Sequence, residues 1–402
     1  MSNKKIPVTV LSGYLGAGKT TILNHVLNNQ KGLKVAIIVN DMSEINIDAD
    51  LVRNAGVSRT EEKLVELSNG CICCTLREDL LLEVEKLAKQ GEVDYIIIES
   101  TGISEPIPVA QTFSYIDEEL GIDLTRFCQL DTMVTVVDAN RFWHDFSSGE
   151  SLLDRKEALG EDDRREVVDL IIDQIEFCDV LLLNKTDLVE EEDLNELEQV
   201  LRKLQSSAKI IRTVQGKVNP NDILHTGLFD FEKALNAPGW LQELQKEEHT
   251  PETEEYGISS FVYRRQRPFH PERLHLWMED WPDEIVRAKG IIWLASRNDM
   301  AILISQAGTS IGFEPAAYWI GALSHQEQQA ILKGEPDLER KWHPVFGDRM
   351  TEFVLIGIDL DQQQVERSLN QCLLTDEEMN QNWNNFNDRF PTFVEAGQLI
   401  NL

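Results

Sequence analysis

Residues 8–27, VTVLSGYLGAGKTTILNHVL, constrain the fold of this chain more than any other stretch. Val8 to Leu11 is a short apolar run with β-branched residues, a glycine-rich turn follows, and apolar residues return at helical spacing from Thr20 to Leu27. Strand, loop, helix is the order in which the pattern G-x-x-x-x-G-K-[ST] cradles phosphate, and Gly13, Gly18, Lys19 and Thr20 fill its fixed positions. Gly13, Gly16, Ala17 and Gly18 let backbone N–H groups curl around phosphate oxygens at the positive end of a helix dipole. Lys19 reaches the β and γ oxygens, Thr20 offers a hydroxyl to Mg2+, and Thr21 completes the phosphate-binding run.

Two further strand ends extend the site. Val180 to Leu183 is a continuous apolar run of the kind a doubly covered parallel strand shows, and it delivers Asn184-Lys185-Thr186-Asp187 at its end, where open α/β sheets bind ligands. In N-K-x-D the aspartate accepts from both N1–H and the 2-amino group of guanine. Adenine has no such donor pair and would leave the carboxylate unpaired, so the motif favours GTP and GDP over adenine nucleotides. Asp94-Tyr-Ile-Ile-Ile-Glu99 is a third strand, and Glu99 falls where the acid that holds Mg2+ or the attacking water belongs. It is Glu where Asp is commoner; an acid that merely caps a strand is the bland alternative. Gly102, in the Ser100-Thr101-Gly102 that follows, is placed to give its N–H to a γ-phosphate. Lys19, Thr20 and Glu99 are therefore the catalytic candidates. No glutamine or arginine finger is identifiable, so intrinsic hydrolysis should be slow.

Charge narrows the partners. The formal net charge is −32, a field that repels nucleic acid and anionic lipid at long range, so neither is expected. The opening MSNKKIPVTVLSG has too short an apolar run for a signal segment, and no stretch approaches a membrane span, so the expected location is cytoplasmic.

In a reducing compartment, six cysteines do not argue for a disulfide framework. Three of them, Cys71, Cys73 and Cys74, fall within SNGCICC just before the helical pattern TLREDLLLEVEKLAKQ. A turn into a helix N-terminus lowers thiol pKa, and three thiolates suit Zn2+ in a tetrahedral site with one position open. A redox switch uses the same low pKa, and simple packing of a helix start is the third reading. The cluster lies between the P-loop helix and the Glu99 strand, the interval that holds switch segments in P-loop GTPases. Asp41 and Glu44, after the strand Val35 to Val39, are acids that complete the metal shell, contact Mg2+, or belong to a solvated loop. Cys128, Cys178 and Cys372 stand alone in apolar surroundings and read as core. His144, His270 and His275 read as packed groups or as ligands, with partner contact as a further option for the last two.

The alternating strand and helix patterns predict an α/β domain over residues 1–215, a P-loop GTPase domain whose mostly parallel sheet is flanked by helices. Residues 216–255, with Pro220, Pro238, Gly239 and Pro251, read as an acidic linker. Residues 256–372 read as a smaller α+β domain with an antiparallel sheet, and 373–402 as a polar tail that is either a docking segment or a frayed helix.

The P-loop at 13–20, GCICC at 70–74, ESTGISEP at 99–106 and NKTD at 184–187, in that order, resemble the CobW-type GTPases, relatives of UreG and HypB. YGISSFVYRRQRPFHPERL and RAKGIIWLAS are similar to the C-terminal domain of that family, and VNDMSEINID, CQLDTMVTVVDANRFWH and ESLLDRKEALGE to its YciC-type, zinc-starvation branch. The resemblance implies a GTPase that delivers a divalent metal to a client protein, with zinc bound at Cys71, Cys73 and Cys74 as cargo and a nucleotide-dependent homodimer as a further option. Two alternatives stay open: the same engine serving cobalt, and a nucleotide-gated zinc sensor or buffer. The histidine-rich run of many family members is missing here, since the eight histidines are scattered.

Overall fold

A computed structural model describes residues 5–30, 32–40, 63–67, 75–114, 122–158, 163, 165–245, 257–395 and 398–399. It divides into two compact units, residues 1–239 and 240–402. The first contains β1 (Ile6–Ser12), α1 (Lys19–Asn29), β2 (Val35–Asn40), β3 (Lys63–Leu67), α2 (Thr75–Gln90), β4 (Tyr95–Glu99), α3 (Pro106–Ser114), β5 (Cys128–Asp138), α4 (Phe142–Phe146), α5 (Val167–Glu176), β6 (Val180–Asn184), α6 (Glu191–Leu204), β7 (Lys209–Arg212) and α7 (Phe231–Leu235).

All seven strands run parallel in the order β3-β2-β4-β1-β5-β6-β7. Alternate residues of each central strand feed opposite faces, because successive Cβ atoms point to opposite sides of a sheet. Val8, Val10, Ile96 and Ile98 pack with α2 and α3. Leu11, Ile37, Ile97 and Val136 pack with Ile22, Leu23 and Val26 of α1. Both faces are covered, which is why β4 and β6 read as unbroken apolar runs. The parallel arrangement brings the C-terminal ends of β1, β4 and β6 to one edge of the sheet, where open α/β sheets bind ligands.

The expected linker is not one up to residue 245. Val218, Ile223 and Leu224 are buried in the first unit's core beside α1, the Thr9 hydroxyl donates to Ile223 O at 2.9 Å, and the buried Asp131 carboxylate accepts from the backbone N–H groups of Thr226 and Gly227. Apolar side chains among the prolines, asparagines and acids fold the segment back, Val218, Ile223 and Leu224 into one core cluster and Phe229, Phe231 and Ala234 into the other, while Asp131 satisfies the turn that has no sheet partner. Helix α8 (Gly239–Gln245) follows, and residues 246–256 lie outside the described residues.

The second unit holds β8 (Ile258–Arg265), α9 (Pro271–Glu279), β9 (Ile285–Ile292), β10 (Met300–Ala307), β11 (Ser310–Tyr318), α10 (His325–Gly334), α11 (Pro336–Lys341), β12 (Thr351–Ile358) and α12 (Gln362–Cys372). Its five strands pair antiparallel in the order β11-β10-β9-β12-β8. Helices α9 and α12 share one core with Phe261, Tyr263, Ile302 and Phe353. The segment expected as a tail packs on this unit: Glu378 pairs with Arg273, Asp388 pairs with Arg297 at 2.8 Å, and Phe390 stacks on Phe313 at 4.3 Å. Among the described residues no helix is long and apolar enough to cross a membrane.

Candidate functional site

The loop between β1 and α1 depends on its glycines. Gly13 has φ 137° and Gly18, which caps α1, has φ 106°, values that favour glycine. A Cβ at Gly13 would strike the Val136 carbonyl and one at Gly18 the Asn184 side-chain amide. Lys19 arches back over the loop: Nζ donates to Gly13 O at 2.8 Å and to Tyr14 O at 3.3 Å, with the side chain almost wholly buried. The loop thus holds an ammonium group among carbonyls, at the mouth of a helix whose first N–H groups face the same way.

Thr20 and Glu99 meet at the phosphate end. Thr20 Oγ1 donates to Glu99 Oε1 at 2.8 Å, and Glu99 is 1% exposed where β4 lies between β1 and β2, opposite Leu11 and Val39. A buried carboxylate touching a hydroxyl is a hard oxygen pair that suits Mg2+, which is bound by one or two protein oxygens with water and phosphate in the remaining positions. Gly102 lies directly against the loop, since a Cβ there would come within 2.6 Å of Leu15 N. Buried Gln174 fixes this turn from α5, Nε2 donating to Gly102 O and Ser104 O, both at 3.1 Å.

At the other end Asn184 uses both halves of its amide. Nδ2 donates to Ala17 O at 2.9 Å, while Oδ1 accepts from Thr213 Oγ1 at 3.0 Å and from Gly216 N at 3.2 Å. Lys185, at φ 62°, donates to Gly16 O at 2.8 Å and to Asp138 Oδ2 at 2.6 Å. Asp187 lies in the short turn Thr186–Leu188 and is exposed. Asp138, Gln174, Thr213 and Gly216 were not singled out from the sequence. Asp138 carried a signal, because it ends the apolar run of β5 in register with Asn184 at the end of β6. The other three have no local signature.

Cys71, Cys73, Cys74, Asp41 and Glu44 lie outside the described residues, whereas Thr21 stands exposed in the first turn of α1. Cys128, Cys178 and Cys372 are buried core groups; burial pushes the Cys128 thiol up to about 12 and that of Cys372 to about 11, which keeps them inert. His144 is no packed group: its side chain is 71% exposed on α4, because the apolar contacts there go to Phe142 and Phe146. His270 and His275 lie against Phe386 and Phe390, and burial lowers the His270 pKa. Among the described residues no three His, Cys, Asp or Glu side chains are grouped to hold a metal ion.

A parallel sheet with a P-loop after β1, an acid at the end of β4 and N-K-x-D after β6 defines a P-loop GTPase fold. Residues 7–212 match the family model "CobW/HypB/UreG, nucleotide-binding domain", and residues 258–373 match "Cobalamin synthesis protein cobW C-terminal domain". The chain belongs to the CobW/HypB/UreG family. It is 45% identical over 388 residues to the Zinc-regulated GTPase metalloprotein activator 1 of Dictyostelium discoideum, covering 94% of this chain and 81% of that one. It is 35% identical to the protein of the same name from Schizosaccharomyces pombe, over 59% of this chain and 53% of that one. It is 32% identical to the Zinc chaperone CobW of Pseudomonas aeruginosa, over 53% and 58% respectively.

Proposed function

We propose that this chain is a GTP-hydrolysing zinc metallochaperone, which binds zinc at Cys71, Cys73 and Cys74 and passes it to a client protein when zinc is scarce. The observation that carries the nucleotide half is the convergence on one loop: Lys19 and Thr20 at its phosphate end, Asn184 on Ala17 and Lys185 on Gly16 at its base end. The zinc half rests on the three clustered thiols and on the names borne by the similar proteins.

In this reading Lys19 leaves the loop carbonyls for the β and γ oxygens, and the backbone N–H groups of Gly16 to Thr21 take the remaining phosphate contacts. Thr20 and Glu99 would hold Mg2+, which when bound would neutralise charge on the transferring phosphoryl group. Gly102 gives its N–H to the γ-phosphate, and Asp187 accepts from guanine. Among the described residues no fork-shaped cation belongs to this set, so intrinsic turnover should be slow. The test compares nucleotides: GTP and GDP should bind at least ~100-fold more tightly than ATP, since ATP leaves a carboxylate without its two donors. Asp187→Asn should lower GTP affinity and raise that for xanthosine triphosphate. Equal ATP and GTP affinities in the wild type would overturn the assignment.

A further inference from the structure

Tyr14, inside the P-loop, belongs to a charged network that phosphate binding does not call for. Its hydroxyl donates to the Glu157 carboxylate and accepts from Arg155 Nη1 at 3.3 Å, and the Arg155 guanidinium lies 5.6 Å from the Tyr14 ring centre. Arg155 is 10% exposed and makes two further ion pairs, with Asp145 at 2.9 Å and Glu150 at 2.8 Å. Between Arg155 and Glu157 the backbone of Lys156 takes φ 60°, a conformation that costs a non-glycine residue energy and persists where its surroundings demand it.

The same chain segment also holds the turn after β4. Arg165 Nη1 donates to Ile103 O at 3.2 Å and Glu105 Oε1 at 3.1 Å, and Gln174 holds Gly102 and Ser104 from further along. The P-loop and the Gly102 turn touch each other through Leu15, and Lys19 rests on the carbonyl of Tyr14 itself. A cavity of about 20 Å3, room for roughly one water, lies between Tyr14, Asp145 and Gln174. Arg155 and Glu157 therefore hold the P-loop through Tyr14, while Arg165 and Gln174 hold the adjoining Gly102 turn.

We propose that Tyr14, Arg155 and Glu157 are positioning residues that set the spacing between the P-loop and Gly102, and so govern discrimination between nucleoside tri- and diphosphate. The proposal rests on the nucleotide reading above. A diphosphate contacts the P-loop alone and is indifferent to that spacing, whereas a γ-phosphate bridges both walls. Loss of the link lets Tyr14 tilt, Leu15 follows, and the Gly102 N–H leaves the γ-phosphate.

The experiment measures, by calorimetry on the full chain, affinities for GDP and for a non-hydrolysable GTP analogue, alongside melting temperature. Tyr14→Phe and Arg155→Ala should each weaken the analogue about tenfold, the scale of a small misplacement in a tight site, and GDP less than about threefold. The double variant should lose no more than either single one, because the residues act as a unit. Arg155→Lys should fail to rescue, since one ammonium cannot reproduce a fork used toward three partners, while Glu157→Gln keeps an acceptor and should stay near wild type. Should both nucleotides weaken equally, or only the melting temperature fall, the network is structural and the proposal is overturned. Unchanged affinities in Tyr14→Phe and Arg155→Ala overturn it too. A wild type that binds neither guanine nucleotide would overturn the nucleotide reading and this proposal together, an outcome distinct from normal wild-type binding with unaffected variants.

Discussion

Asn184 and Asp179 show how one side chain acquires its meaning from the strand ends around it. Asn184 was legible as part of N-K-x-D, but its partners Thr213 and Gly216 were not, because a loop residue that gains its role by meeting another strand end leaves no pattern in its own neighbourhood. Asp179 stands just before β6 and was equally unmarked. Burial pushes its carboxyl up to about 6, against the bond it accepts from Met133 N at 2.8 Å and the nearby Lys233. A folded pKa above the unfolded value of roughly 3.9 means that the folded chain holds the proton more tightly; stability from this group is present below pH ~4 and is lost as pH rises to ~6. Asp179→Asn keeps an acceptor for Met133 and removes the ionisation. We expect the variant to exceed wild type by about 3 kcal/mol at pH 7, with the gap closing between pH 6 and pH 4. Urea titrations across that range check it, and a pH-independent gap would contradict the assignment.

At the scale of elements, the strands were the readable part. β4 and β6 are buried on both faces, so their sequences are continuous apolar runs with polar strand ends, and β1 is broken only by the buried Thr9. The packing of 216–245 and of the stretch after 373 is what the sequence conceals: their apolar residues are interspersed with polar ones, and whether they find a groove depends on tertiary structure. Phe390 is the clearest case: flanked by Arg389 and Pro391, it stacks on Phe313 beside the Arg297–Asp388 pair. Phe390→Ala should destabilise the second unit by about 3 kcal/mol, the lower end for a buried phenylalanine, since the site lies near the surface. Tryptophan fluorescence during chemical denaturation measures this; a change below about 0.5 kcal/mol would mean that the segment does not contribute to the fold.

For the whole molecule, the order of motifs conveyed the nucleotide engine, while the zinc site at the clustered thiols and its coupling to the nucleotide stand as proposals to be measured. If Cys71, Cys73 and Cys74 bind zinc in the interval between the P-loop helix and the Glu99 strand, and GTP reorders that interval, then each ligand must change the other's affinity by the same factor, because linkage of binding free energies is reciprocal. An effect of tens of fold requires only about 2 kcal/mol of coupling. The direct measurement is zinc titration by calorimetry into the GDP form and into the form carrying a non-hydrolysable GTP analogue, repeated with all three cysteines changed to serine. We predict zinc affinities that differ by tens of fold between the two nucleotide states, and loss of that site in the triple variant. Equal zinc affinities in both states, or a triple variant that binds zinc as wild type does, would contradict a GTP-gated metal carrier.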